Sequence, residues 1–348
     1  MIALQLAHDA PLSTLAAGNS IRDGILHVPG TFQLHFGGSL DEIRIGWRLT
    51  GRPDRPVIVA LGGISAGRAV VTLEDGEKGW WSDVVTSGGA LDIHQYQILG
   101  LDYLGGSGAS TGPRAGEAGF PAISAYDQAE ILRRLLDYLQ IAKIEAIVGA
   151  SYGGMVALTF AERFPDRVAR IVVISAADRS HPLSTAWRSV QREIVRYAAR
   201  KGEGAEGLRL ARALAMVTYR SADEFATRFG GPPTALDGRF QFPVESYLLA
   251  RGDAYAASYV PEAFVCLSES IDLHTVDPSR IHVPTTLVAI REDQLVPLAD
   301  MRSLQARIAA PAELIELSSL FSHDAFRKET HALRSIFARA LSATGAIQ

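Results

Sequence analysis

The chain has 348 residues, with 34 Lys and Arg against 38 Asp and Glu, for a formal net charge of −4. Without a basic excess it lacks the electrostatic signature of a nucleic-acid binder, and no run of about 18 uncharged apolar residues predicts a membrane span. The single cysteine, Cys266, excludes an internal disulfide and a cysteine-rich metal site, and 47% apolar with 21% charged residues is a globular composition. The first residues, MIALQLAHDAPLSTLAAG, have neither a basic n-region nor a continuous apolar h-region. No secretory signal is therefore expected, and a soluble cytosolic protein is. The length predicts about two domains, or one large domain with an insertion.

No internal repeat breaks the chain into units. Short strands are predicted over Ile25 to Val28, Phe32 to Phe36 and Ile43 to Leu49, where apolar residues run or alternate between Gly, Pro and Asp. Pro56 to Gly63 is a short continuous apolar run that ends in two glycines, the pattern of a strand buried on both faces. Similar runs follow at Tyr96 to Asp102, Ile144 to Ala150, Val168 to Ala176, Thr285 to Ile290 and Glu313 to Ser318. Helices are predicted between several of them, over Tyr126 to Leu139, Met155 to Phe164, Leu298 to Ile308 and Asp324 to Leu341. This alternation predicts an α/β fold, a mostly parallel sheet with helices on both faces.

The alternation stops between about Ala177 and Pro284, too long a gap for one crossover. Helices are predicted there over Trp187 to Lys201, Gly207 to Tyr219, Ala222 to Phe229 and Pro243 to Ser258. The expected organisation is one core, residues 1–176 and 285–348, with a helical cap inserted at 177–284. The apolar content of the cap helices also suits a dimer contact.

Gly149-Ala150-Ser151-Tyr152-Gly153 is a G-x-S-x-G pattern that follows a predicted buried strand and opens a predicted helix. Such a turn lifts a serine hydroxyl to the C-terminal edge of the sheet, at a helix N-terminus that favours developing negative charge. A serine hydroxyl needs a base held by an acid, and behind this turn the acid and then a histidine follow in the chain. Asp293 lies just beyond the run at Thr285 to Ile290, and His323 lies beyond the last strand. Glu292 and His331 are the neighbouring alternatives; His331 falls inside the last predicted helix. An oxyanion hole would combine the N–H of Tyr152 with one from Leu61-Gly62-Gly63, Leu61 first and Gly62 as the alternative. The nine histidines show no convincing metal-ligand spacing, so no metal is expected.

The stretch VGASYGGMVALTFAERFPDRVARIVVISA resembles the elbow region of the homoserine O-acyltransferases of the α/β-hydrolase superfamily. More specific matches are Gly79 to Trp81 (GWW), Leu104 to Pro113, the cap segments Leu210 to Gly230 and Val244 to Tyr259, and Ser322 to Phe326, which is similar to the family's G-H-D-A-F. The resemblance covers most of the chain from about Leu61 onward. It implies an α/β-hydrolase fold and acyl transfer from a short acyl-CoA co-substrate to the hydroxyl of L-homoserine. No bound cofactor is implied, and Ser151 would carry the acyl group between two half-reactions. At matching positions, Arg212 would bind the amino-acid carboxylate, Tyr219 would line the same tunnel and Asp324 would bind the ammonium. Asp324 also suits a helix N-cap. The resemblance further implies a homodimer through the cap.

Departures from the family pattern are Ala150-Ser151-Tyr152 for Gly-Ser-Met, Ser322 for glycine, and the apolar loop LGGIS at Leu61 to Ser65. LGGISAGR resembles members that use succinyl-CoA, and a succinyl donor needs a cation for its distal carboxylate. Arg68 and Arg114 are the expected candidates. The alternatives to succinyl transfer onto homoserine are an acetyl donor, a serine acceptor, a plain esterase with the same triad, and a non-catalytic binding protein.

Overall fold

A computed structural model of the chain describes residues 13–15, 19–73, 76–117 and 119–342. Residues 1–12 and 16–18, most of the N-terminal stretch read above for a leader, lie outside the described residues. The apolar runs pair into a nine-stranded sheet. Its strands are β1 (Ser13–Leu15), β2 (Asn19–Gln33), β3 (Ser39–Gly51), β4 (Val57–Leu61), β5 (Gln97–Leu101), β6 (Ala146–Ala150), β7 (Ile171–Ile174), β8 (Thr285–Ile290) and β9 (Ala312–Leu317). Across the sheet they run β1-β2-β3-β5-β4-β6-β7-β8-β9. The pairs up to β3·β5 are antiparallel, and all pairs beyond are parallel.

Helices α1 (Ala125–Tyr138) and α2 (Tyr152–Arg163) follow β5 and β6. Between β7 and β8 come α3 (Pro182–Ala199), α4 (Gly204–Thr218), α5 (Ala222–Phe229), α6 (Pro243–Ala256) and α7 (Pro261–Asp272). The chain ends in α8 (Leu298–Arg307), α9 (Ala325–Lys328) and α10 (Thr330–Ser342). The continuous apolar runs have a simple cause: the central strands are covered on both faces. In β4, Val57, Val59 and Leu61 enter one core with Leu132 and Leu135 of α1, Leu158 and Phe160 of α2 and Met301 and Leu304 of α8. Ile58 and Ala60 point the other way, into a second core with Trp81 and with Leu333, Ile336 and Phe337 of α10.

The segment between β7 and β8 adds no strand to this sheet. Its helices share a small core of their own, in which Val195, Leu208, Ala211 and Phe264 are buried. Helix α3 starts at Pro182, five residues ahead of the expected Trp187, with proline in its first turn. Helix α7 was not expected at all, although Pro261 opens it in the same way.

Other boundaries differ for identifiable reasons. Strands β2 and β3 are 15 and 13 residues long where shorter pieces were expected. Pro29-Gly30 reads as a break in sequence, but Gly30 takes φ of 73° at a register shift between Val28 and Thr31, so a bulge lets the ribbon continue. The strand expected over Phe32 to Phe36 stops at Gln33, where the chain enters a turn with Gly37 and Gly38 at positive φ. The helix expected over Asp324 to Leu341 is interrupted at Glu329, whose ψ of 54° separates α9 from α10. Among the described residues no helix is long and apolar enough to cross a membrane.

Candidate active site

The turn from β6 into α2 is held by close backbone approach. A Cβ on Gly149 would lie 2.2 Å from the Gly153 carbonyl oxygen, and one on Gly153 would lie 2.3 Å from the Leu61 carbonyl oxygen. Only glycine fits at either place. Between them Ser151 is forced to φ 54° and ψ −122°, a strained backbone for a side-chain-bearing residue. Its amide donates to the Ile174 carbonyl at the end of β7. The Tyr152 side chain points away from the site; its hydroxyl meets Ser270 Oγ of α7 at 2.7 Å and so ties that helix to the turn.

Ser151 Oγ lies 2.9 Å from His323 Nε2, and His323 Nδ1 lies 2.7 Å from Asp293 Oδ2. The other Asp293 oxygen accepts from the amides of Leu295 (2.8 Å) and Val296 (3.1 Å), which orients the carboxylate. Both His323 and Asp293 are buried. Burial alone would lower the proton affinity of His323, but the charge and hydrogen bond of Asp293, aided by Asp324, hold its pKa above the usual 6.5. This is an arrangement in which a hydroxyl can pass its proton to an imidazole already oriented and stabilised as a cation.

Ser322, which precedes this histidine, sits at φ 48°, where glycine is at ease and serine is not. Its hydroxyl donates to the Glu292 carbonyl at 2.7 Å, which offsets part of that strain. Glu292 itself is engaged elsewhere: its carboxylate accepts from the Ser318 hydroxyl and from the Ser319 amide. Neither it nor the exposed His331 on α10 takes part in the Ser151–His323–Asp293 chain.

One cavity that reaches Ser151 and His323 is also lined by Trp80, Arg212, Tyr219, Asp324 and Arg327. The guanidinium of Arg212 sits between two rings, 5.1 Å from the centroid of Tyr219 and 4.7 Å from that of Tyr255. No carboxylate among the described residues pairs with it. Tyr219 in turn lies 5.7 Å, ring to ring, from His323. Asp324 precedes α9 but makes no side-chain cap bond. One of its oxygens instead receives Arg220 at 3.0 Å. Arg220 was not singled out in the sequence: Glu224 is its i,i+4 neighbour, but Asp324, the partner that brings it to the site, lies far along the chain.

The expectations for Arg68 and Arg114 need correction, while Leu61 and Gly62 stand side by side at the end of β4. Leu61, the last residue of β4, is paired with Gly149 in the β4·β6 ladder, and Gly62 follows it directly. The Gly62 carbonyl accepts from Gly153 N–H at 2.9 Å, which sets this residue beside the start of α2. Arg68 does not face Ser151. It binds Asp102 at 2.8 Å and Asp23 at 3.2 Å, and its own amide also donates to Asp102, so it staples the loop after β5. Arg114 is exposed, and its backbone closes a turn onto Glu117. Neither arginine lines a cavity shared with Ser151. Cys266 stays apart from the chemistry: burial in α7 pushes its thiol up to about 12. No group of three or more His, Cys, Asp and Glu among the described residues is placed to hold a metal.

A second cavity also opens on Ser151 and His323, walled by Arg188 and Gln191 of α3 and by Ser175 after β7. Sequence reasoning missed all three. The one available signal was the 3-residue spacing of Arg188 and Gln191, which puts them on one helical face.

Residues 56–321 match the family model described as alpha/beta hydrolase fold. The chain is 41% identical over 305 residues to a homoserine O-succinyltransferase of Xanthomonas campestris, covering 87% of this chain and 80% of that one. It is 33% identical to a homoserine O-acetyltransferase of Thermus thermophilus, over 88% of this chain and 87% of the other. The crystal structure of a homoserine O-acetyltransferase from Bacillus anthracis superposes with a TM-score of 0.83 over 92% of this chain and 98% of that chain. At 18% identity that likeness speaks for the fold alone.

Proposed function

The chain belongs to the homoserine O-acyltransferase family of α/β-hydrolase-fold proteins, and from that premise we propose that it transfers a succinyl group from succinyl-CoA to the hydroxyl of L-homoserine, in methionine biosynthesis. The observation that carries the reading is the hydrogen-bonded chain Ser151–His323–Asp293 opening on a cavity that also holds Arg212 and Asp324. An esterase needs the first group and has no use for the second. The Xanthomonas relative supports the succinyl donor, and the Thermus relative keeps acetyl as the second reading.

Ser151 Oγ attacks the thioester carbonyl as His323 takes its proton. The tetrahedral oxyanion is received by the N–H of Tyr152, which has no acceptor within its own helix, and by that of Leu61, with Gly62 as the alternative. Collapse expels CoA, whose sulfur receives the proton from His323, and leaves an acyl ester on Ser151. Homoserine then enters. Its carboxylate meets Arg212, its ammonium meets the free oxygen of Asp324, and Tyr219 lines its path. His323 deprotonates the homoserine hydroxyl, which attacks the ester, and O-succinylhomoserine leaves. Asp293 holds the imidazole in the working tautomer throughout. Serine as acceptor differs by one methylene, a discrimination of about 1–3 kcal/mol.

We further propose that segment 177–284 acts as a cap and that two copies associate through it in the cytoplasm. The groove of Val190, Ile194, Tyr197 and Leu210 on α3 and α4 supports the association. The test of function is a matrix of donors and acceptors. Succinyl-CoA or acetyl-CoA is supplied with homoserine, serine or no acceptor, and free CoA is followed. Steady release with succinyl-CoA that requires homoserine is expected. Steady release that ignores the acceptor would replace the transferase reading with hydrolysis.

A further inference from the structure

In the proposed reaction CoA and the amino acid exchange places, whereas the acyl chain stays on Ser151 through both steps. The chain therefore needs a space that neither exchanging partner uses. Arg212 and Asp324 claim the cavity beneath Trp80 for the acceptor, which leaves the second cavity that reaches Ser151 and His323. Resting on that reading, we infer that this second cavity is the acyl pocket, and that Arg188 and Gln191 make it select a short acyl chain ending in a carboxylate.

The pocket combines apolar lining from Met155, Ile271, Leu295 and Val296 with polar lining from Ser175, Arg188 and Gln191.

Three polar groups in the pocket lack partners. Arg188 uses Nε and Nη2 on Asp272 Oδ1, at 2.9 and 2.7 Å, and Nη2 also on the Ser180 hydroxyl, while Nη1 donates to nothing among the described residues. The Gln191 side chain is 4% exposed and bonds to no described residue. Ser175 Oγ is buried without a partner on a residue held at φ 49°. Of the three, Ser175 Oγ is fully buried, and a buried polar group left open costs stability unless something else satisfies it; the other two face the cavity with donors to spare. A terminal carboxylate accepts from all three.

The charge balance points the same way. Arg192 takes the other oxygen of Asp272 at 2.6 Å, so two guanidiniums share one carboxylate and a net positive charge remains. Asp300 and Arg179 also line the pocket with opposite signs, and Asp178, which pairs with Arg179, is itself matched by Arg307, so the excess of one positive charge stands.

The experiment compares kcat/KM for succinyl-CoA and acetyl-CoA, with homoserine as acceptor, in the wild type, Arg188→Met and Gln191→Leu. The succinyl-to-acetyl ratio is expected to fall at least about tenfold in Arg188→Met and about threefold in Gln191→Leu. Gln191→Leu leaves the Asp272 ion pairs intact, so it decides the matter if Arg188→Met does not fold. A ratio unchanged in the folded variants overturns the inference, as does a wild type acylated by acetyl-CoA alone. Loss of acceptor dependence is a separate result: it removes the transferase reading but leaves the donor ratio measurable by hydrolysis.

Discussion

The sheet edge and the helical segment above it hold their functional groups in different ways. Ser151, Asp293 and His323 stand on backbone: a turn that admits only glycine at two places, a carboxylate pinned by two amides, and a short turn stiffened by Ser322. Arg212, Arg188 and Arg220 stand on other side chains, on aromatic faces and shared carboxylates. The first kind of support tolerates little substitution, because a Cβ at Gly149 or Gly153 meets backbone. The second can be rewired by exchanging side chains while the backbone stays in place. Chemistry and selectivity are thus kept on separate parts of the molecule.

The sharpest way to break this division is at its centre. Ser151→Ala should lower turnover with every donor by about 10⁴-fold or more and abolish the acyl-enzyme seen by mass spectrometry. Asp293→Asn should cost about 10³ to 10⁴ in kcat, because the imidazole loses its tautomer and its counter-charge. Arg212→Ala should act on the other side of the division. The acceptor KM rises about 10- to 100-fold while acylation by the donor alone persists; equal loss in both half-reactions would erase the distinction. The pH profile gives a smaller and more diagnostic effect. His323 must be neutral to act as a base, and Asp293 raises its pKa, so kcat/KM should climb with pH through a midpoint above 6.5. In Asp293→Asn the residual midpoint should move down, since burial then acts unopposed; an unmoved midpoint would detach this titration from His323. The smallest effect on turnover is expected at Arg68. Arg68→Ala should leave donor preference unchanged and lower stability by about 1.5–3 kcal/mol through Asp102, read as a drop in Tm.

The same division explains what was legible in the sequence. Ser151, Asp293 and His323 were found because strand order and turn chemistry are local, and each follows its own apolar run. The alternation of β4 into two cores made its run continuous, and the parallel sheet could be read from it. Arg68 and Arg114 were misplaced because a cation in a nearby loop says nothing about its partner, and Asp102 and Asp23 are far away in sequence. Arg188 and Gln191 were missed although the expected helix contained both, because Asp272, which anchors Arg188, arrives from α7 and the cavity wall opposite them comes from distant strands.

The hydroxyl of Ser322 has one more implication. Through it the loop bearing His323 is tied to the loop bearing Asp293, and the Glu292 carboxylate repeats the tie at Ser318 and Ser319. None of these bonds involves the segment between β7 and β8. The acid and the base therefore travel as one mechanical part, and the segment overhead grips that part at both loops, through Ser184 on the Leu295 carbonyl, Ser221 on the Leu320 carbonyl and Arg220 on Asp324.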